Sequence, residues 1–296
     1  MKTTKILAMT FIALALAGCD NANTDTPEQQ VPVKTKKFTF TCKGDFTSDW
    51  KPVTKKAPSA NEYLTADGKE MTDLWVLDYW EGELDQQLHQ TPEDEDWGAP
   101  VMQLKYGSHH VYFIASRGQN PTLNTTAKTI TFTKVLDTFY KDYQVSVVAT
   151  SNGNRAVTLE RNVTKLKLVF TDAIPDNAAT INIAPHTWYY GFNYQTGAPC
   201  EEKTDYVMSI NIPAASHGST SESANLFGFS TADEWTTDVA ANSKTSANVV
   251  LGSCTIEDAP FKANRVTEYS GPLFSSGGTM TVSLDTDWDT TVTGTW

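Results

Sequence analysis

The chain has 296 residues, 40% hydrophobic and 20% charged, and a formal net charge of −12 at pH 7. That acidic balance argues against nucleic acid as a partner and against a basic grip on anionic lipid. At roughly 100–150 residues per domain, the length suits about two domains, each able to bury a core of its own.

The N-terminus has a layout of its own. Met1–Lys5 is a short basic head, and Ile6–Ala15 is an apolar run too short to span a bilayer with ease. Leu16, Ala17 and Gly18 then lead directly into Cys19. This is the pattern of a secretory signal over residues 1–18 and not of a fold element. A cysteine at this place resembles a bacterial lipobox, and the resemblance implies cleavage before Cys19 and lipid attachment to it, with palmitate as the representative acyl chain. One acyl chain holds only marginally, at ~0.8 kcal/mol per buried methylene, so a durable tether carries several. Loss of Lys2 and Lys5 with the signal leaves the mature chain at −14. Residues 19–35 are polar, contain Pro27 and Pro32, and show no periodicity; they are read as a flexible tether. No second segment is apolar over 18 or more residues.

Beyond the tether, period-two alternation of Val, Ile, Thr and aromatics predicts strands at residues 37–42, 110–115, 129–135, 143–148, 165–170, 180–183, 206–212, 247–251 and 280–284. Residues 72–79 (TDLWVLDY) are more continuously apolar and read as a central strand. Ser151–Asn154, Gly107–Ser108 and Ser275–Gly278 are turn clusters. One short helix is expected within Asn225–Val239. Residues 155–170 read either as a strand pair or as one strand crossing a domain boundary, which is placed near residue 158. Many short strands at even spacing give an all-β chain of two tandem β-sandwich domains, 36–158 and 159–296.

No GxSxG, HExxH, P-loop or GxGxxG pattern occurs in the chain, so no enzyme and no cofactor is expected. His109 and His110 are adjacent on a strand and point to opposite faces, which prevents joint metal chelation. The acidic stretch Thr91–Trp97 lacks calcium-loop spacing and reads as a solvated loop. Asp285, Asp287 and Asp289 would share one strand face and read as a solvent face beside Trp288. No metal site is expected. With Cys19 lipidated, Cys42, Cys200 and Cys254 remain; Cys200 and Cys254 lie in the same half and are the candidate disulfide, against the alternative of three thiols. The densest aromatic run, Trp188–Tyr194, offers Trp188, Tyr190 and Tyr194 as a contact patch for a protein or a glycan, with core packing as the alternative.

Three stretches carry a resemblance to a family. MTDLWVLDYWEGELDQQLHQ (71–90) is a Leu/Trp/Val strand ending in Asp and followed by a short Gly turn. RNVTKLKLVFTDAIPDNAATINI (161–183) is an Arg, a β run, a Pro-containing turn and a second β run. ANRVTEYSGPLF (263–274) is the most specific of the three. Together with the lipobox they resemble the fimbrillin-like anchor and accessory subunits of Bacteroidia-type (type V) fimbriae, such as the minor-fimbrium anchoring subunit. The resemblance implies two transthyretin-like (Ig-like) sandwiches, an outer-membrane lipoprotein at the cell surface, and assembly with other fimbrial subunits through exchanged β-strands. In the family's stalk subunits a trypsin-like protease cuts after an early Arg or Lys to release the first strand. Here the first arginine is Arg117, although Lys36 and Lys37 stand before the expected first strand. That pattern suits an anchor, which keeps its lipid and its first strand. The candidate exchange segment is Thr279–Trp296, with Thr279, Met280, Val282, Leu284, Trp288, Val292 and Trp296 as its apolar and terminal positions. A surface glycan-binding lipoprotein is the alternative function.

Overall fold

The computed structural model describes residues 33–44, 65–66, 69–117, 121–220, 222–230, 234–275, 281–283 and 293–294. It is all-β, built of sandwiched sheets. A seven-stranded sheet runs in the order β5 (Glu83–Gln90), β4 (Asp73–Trp80), β7 (Gly107–Ser116), β10 (Thr138–Val147), β11 (Asn154–Arg161), β1 (Thr35–Gly44) and β6 (Val101–Lys105). A two-stranded ribbon joins β2 (Thr65–Ala66) to β3 (Lys69–Glu70). The first strand therefore lies inside its sheet: β1 pairs in parallel with β11 and antiparallel with β6. Alternation along β1 sends Phe38, Phe40 and Cys42 inward, all fully buried.

Three sheets make up the later part of the molecule. One runs β17 (Glu222–Phe229), β12 (Val163–Phe170), β20 (Val266–Gly271), β21 (Thr281–Ser283) and β22 (Thr293–Gly294). A second runs β16 (Met208–Asn211), β13 (Thr180–Pro185), β18 (Trp235–Lys244) and β19 (Val250–Phe261). The third, β15 (Pro199–Lys203), β14 (Trp188–Asn193), β9 (Thr129–Thr131) and β8 (Thr122–Asn124), takes strands from both sides of residue 158. The chain changes sheets at Asn162, between β11 and β12, so residues 155–170 form two strands in different sheets.

The central strands β4 and β7 explain their own composition. Leu74 and Val76 of β4, with Val111, Phe113 and Ala115 of β7, enter the core that also holds Phe38 and Phe40. The opposite faces, Leu77, Tyr79, Tyr112 and Ile114, enter a second core shared with Trp188, Phe192 and Phe229. Both faces of β4 are thus covered, which is why its sequence is nearly continuous in apolar residues. Each such side chain contributes ~1.5–3 kcal/mol of burial. Lys34–Trp296 forms one compact unit.

Arg161 marks the turn from one sheet to the next. Its guanidinium forks onto Asp137, with Nε donating to Oδ1 at 2.7 Å and a terminal nitrogen donating to Oδ2 at 3.1 Å. Both side chains are essentially solvent-free, and Arg161 also lies over the Phe139 ring. The other terminal guanidinium nitrogen donates to Asn264 Oδ1 at 3.5 Å, tying the loop before β20 to the same point.

Three sequence expectations differ from this structure. The short helix expected within Asn225–Val239 is replaced by the end of β17 and the start of β18. Leu226, Phe227 and Phe229 lose visible alternation because the end of β17 is covered on both sides, whereas Ser223 and Asn225 are exposed. Only a glycine at 228 leaves room for the Trp188 ring, since a β-carbon there would stand 2.5 Å from the ring's Cε2 and Nε1. The strand expected over 129–135 stops at Thr131. The one expected over 247–251 begins only at Val250, since Thr245–Val249 make the β18–β19 hairpin turn.

Candidate functional site

A chain that joins others through backbone pairing needs a slot or an edge whose amides and carbonyls accept a strand. Two places bear on this: the position of β1 and the margins of the sheets. β1 fills a slot between β11 and β6, contributing pairs from Thr35↔Lys105 to Thr39↔Val101 on one side and from Thr39↔Asn154 to Gly44↔Leu159 on the other. Lys36 and Lys37, expected to precede the first strand, lie within it, opposite Leu104 and Gln103. Lys36 Nζ also donates to the Ala149 carbonyl at 2.6 Å. A protease cut after either lysine would require β1 to peel from β6, whereas Lys34 stands outside the strand.

The two outer strands of the seven-stranded sheet are sealed by side chains. Gln86 of β5 acts on β6 as a strand residue would: its amide nitrogen donates to the Gln103 carbonyl at 2.8 Å, and its amide oxygen accepts from the Gln103 N–H at 3.4 Å. Beside it Lys105 Nζ meets Asp85 at 2.5 Å and lies over the Trp80 ring, and Trp80 Nε1 donates to the Tyr106 carbonyl at 3.0 Å. A sheet margin closed in this way is protected against edge-to-edge pairing.

Beneath the seal sits a buried charge pair. His109 Nδ1 lies 2.7 Å from Asp78 Oδ1, and its Nε2 lies 2.8 Å from the Lys105 carbonyl oxygen. Both partners are acceptors, so both ring nitrogens donate and His109 is an imidazolium. Burial works against that charge, but the Asp78 hydrogen bond, the Lys105 carbonyl and the charges on Asp78 and Asp85 together hold its pKa above the ordinary histidine value. His110, on the other face, is exposed and meets Asp142 at 3.1 Å. The sequence carries no signal for the Asp78–His109 or Gln86–Gln103 relationships, which join positions 31 and 17 residues apart.

Trp188, Tyr190 and Tyr194, the expected contact patch, are buried. Trp188 Nε1 donates to the Phe227 carbonyl at 3.0 Å, and its ring meets Phe261 edge-on. Tyr190 packs edge-on against Tyr206, and Tyr194 against Tyr112 and Tyr79. These rings are core because Trp188, Tyr190 and Phe192 share the inward face of β14 and Tyr194 follows in the same register, while Tyr189 and Asn193 on the other face are half-buried. Cys200 and Cys254 are thiols with no bridge between them: Cys200 lies on β15 opposite Gly191, and Cys254 on β19 opposite Ala241, in different sheets. Cys42 is likewise a thiol. In the acidic loop, Asp94 turns back to accept from the Thr91 N–H at 2.6 Å, while residues 92–96 are exposed to solvent.

Of the expected exchange segment, Val282 lies on β21, whose backbone places it opposite Tyr269 of β20 and Gly294 of β22. β22 is the marginal strand of that sheet. Thr279, Met280, Leu284, Trp288, Val292 and Trp296 lie outside the described residues, as does the lipidation candidate Cys19. Among the described residues no helix is long and apolar enough to cross a membrane.

No family model matches the chain, and no curated protein matches it. Solved structures do. A candidate adhesin from Bacteroides ovatus is 12% identical over 88% of this chain and 94% of its own, with a TM-score of 0.50. A candidate cell adhesion protein from Bacteroides ovatus is 12% identical over 84% of this chain and 96% of its own, with a TM-score of 0.49. A candidate polysaccharide-binding protein from Bacteroides thetaiotaomicron is 8% identical over 86% of this chain and 98% of its own, with a TM-score of 0.49. At such identities the first of these likenesses is one of fold.

Proposed function

We propose that this protein is a cell-surface fimbrial subunit of the anchor or accessory kind, held in the outer membrane by lipid on Cys19 and joined to other subunits by β-strand addition. The observation that carries the reading is the placement of the two ends of the folded chain. The first strand, β1, is a plug between β11 and the outer strand β6 with its apolar side chains in the core, while the last described strand, β22, sits at the margin of another sheet. The sealed β5 and β6 margins direct strand addition away from the first sheet and toward the C-terminal edge. The fold is shared with the Bacteroides ovatus candidate adhesin, whose name supports a cell-surface adhesion role for this reading. An anchor in this sense retains its lipid and its plug, and it ends a polymer at the membrane through the C-terminal segment.

The test is co-purification from outer membranes after mild crosslinking, comparing the full chain with one truncated before Thr279. A ladder of other β-rich subunits, recovered with the full chain and lost on truncation, is the expected result. Recovery of no subunit with the full chain would contradict the reading. The glycan alternative needs an exposed aromatic platform, and the three rings meant to form it are buried.

A further inference from the structure

Asp172 lies just past the end of β12, and its carboxylate gathers three successive backbone N–H groups. Leu273 donates to Oδ1 at 3.0 Å, and Phe274 and Ser275 donate to Oδ2 at 2.7 and 2.8 Å. The Ser275 hydroxyl adds a fourth bond at 3.2 Å. An ionised carboxylate is acceptor-only and can receive this many donors, and such charge-assisted bonds are stronger than neutral ones. Burial raises the Asp172 pKa, but the backbone donors outweigh it and hold the group below the ordinary carboxylate value.

The same three residues are held from two further sides. The Leu273 carbonyl oxygen occupies the space that a β-carbon on Gly252 of β19 would fill, so only glycine at 252 admits the crossing. Leu273 is buried, and the Phe274 ring packs edge-on against Phe170, the last residue of β12. Pairing of β12 with β20 continues up to this point, where the Thr171 N–H donates to the Gly271 carbonyl at 3.0 Å. β12 is itself flanked on both sides, by β17 and β20. The next described strand after Ser275 is β21, starting at Thr281.

We propose that Asp172 is a positioning residue that fixes the root of the C-terminal segment at Leu273–Ser275, so that the part engaging a neighbouring subunit begins after Ser275. This rests on the reading of the segment beyond 275 as the joint. The carboxylate delivers load on that segment to β12, a strand paired on both sides. Without it, tension would run back along β20 and open the β12–β20 ladder from its end.

The experiment uses the full-length, membrane-extracted lipoprotein as wild type, Asp172→Asn, Asp172→Glu and Ser275→Ala, with truncation before Thr279 as a control. Two quantities are read: hydrogen exchange in peptides covering 266–271 and 273–275, and recovery of crosslinked partner subunits after a denaturant wash. Asn keeps the size of Asp but replaces one acceptor oxygen with a donor. Asp172→Asn is expected to speed exchange at 273–275 by about 10- to 100-fold while β20 stays protected, the loss expected for charged hydrogen bonds. Partner recovery is expected to fall severalfold with it, Asp172→Glu to restore part of both, and Ser275→Ala to give a smaller loss. Protected 266–271 peptides serve as the control that each variant is folded. Wild-type protection at 273–275 in Asp172→Asn would overturn the proposal. So would lost protection with undiminished partner recovery while truncation abolishes that recovery. Partner recovery that survives truncation would overturn the joint itself and the mechanical role with it, a result distinct from failure of Asp172 alone.

Discussion

Tyr79 of β4 and Tyr194, just beyond β14, meet hydroxyl to hydroxyl at 2.8 Å. The pair pins the seven-stranded sheet to the sheet built by β8, β9, β14 and β15. Lys128 Nζ donates to the Tyr79 hydroxyl at 3.1 Å, and the Tyr140 hydroxyl donates to the Tyr194 carbonyl at 2.6 Å. Both Tyr79 and Tyr194 are buried, so the contact is dry. On the proposed anchor role, this fixed connection would carry load between the tether and the C-terminal joint.

The two tyrosines are not equivalent. Tyr194→Phe leaves the Tyr79 hydroxyl with Lys128 and should cost ~0.5–1.5 kcal/mol. Tyr79→Phe removes the hydroxyl partner of a buried Tyr194 and should cost ~1–3 kcal/mol, the penalty of a stranded polar group. Denaturant midpoints of the two variants check the order; equal costs would show that the Tyr194 hydroxyl finds a partner elsewhere.

The Arg161–Asp137 fork makes a sharper demand. Asp137→Ala leaves a guanidinium in a solvent-free site and should destabilise the fold by ~3–5 kcal/mol. Replacing both residues with apolar ones of similar volume should recover most of that loss, because the attraction within the pair offsets little more than its own desolvation. Equilibrium unfolding of the single and double variants measures the difference.

His109 predicts the sign of a pH dependence. Its folded-state pKa is raised, so the stabilisation it brings is fully present below the unfolded-state value near 6.5 and is lost as pH rises through the folded value. The wild type should lose stability relative to His109→Gln as pH rises from about 6.5 through the raised folded-state value. A stability difference that does not change over that range would show that the imidazolium is not the folded form.

Cys200 and Cys254 should behave as half-buried thiols with no bridge between them. Burial, aided by the charge on Glu201, pushes Cys200 up to about 11, and burial pushes Cys254 to about 11 against a weaker lowering by the Ala241 backbone. Thiolate is then scarce at neutral pH, and alkylation should be slow until the chain unfolds. Cys200→Ser and Cys254→Ser should each cost far less than the ~2–5 kcal/mol of a lost disulfide, and reducing agent should leave the unfolding midpoint unchanged.

What can be read from the chain alone depends on where each signal lives. β1 and β12 alternate because one face meets core and the other is more exposed, and their positions are legible from periodicity. β4 is legible for the opposite reason, since a strand buried on both faces is greasy throughout. β17 passes for a helix because the same double burial meets a glycine at 228 whose purpose, room for Trp188, shows only in three dimensions. The contact patch is core for a different cause: a run of aromatics on a strand does not say which alternate positions face inward, and Trp188, Tyr190 and Tyr194 do. The Gln86 seal, the Asp78–His109 pair and the Asp172 clamp join residues far apart in the chain and leave no local pattern. The clamp spans about 100 residues.

The central question is whether the C-terminal segment pairs with another chain. A photo-crosslinking residue placed at position 282 of the full-length protein, opposite Tyr269 in the isolated fold, reads this directly. A fimbrial joint predicts an adduct with a different β-rich subunit, mapped to one of that subunit's strands. Adducts confined to this chain's own residues 268–270 would contradict it.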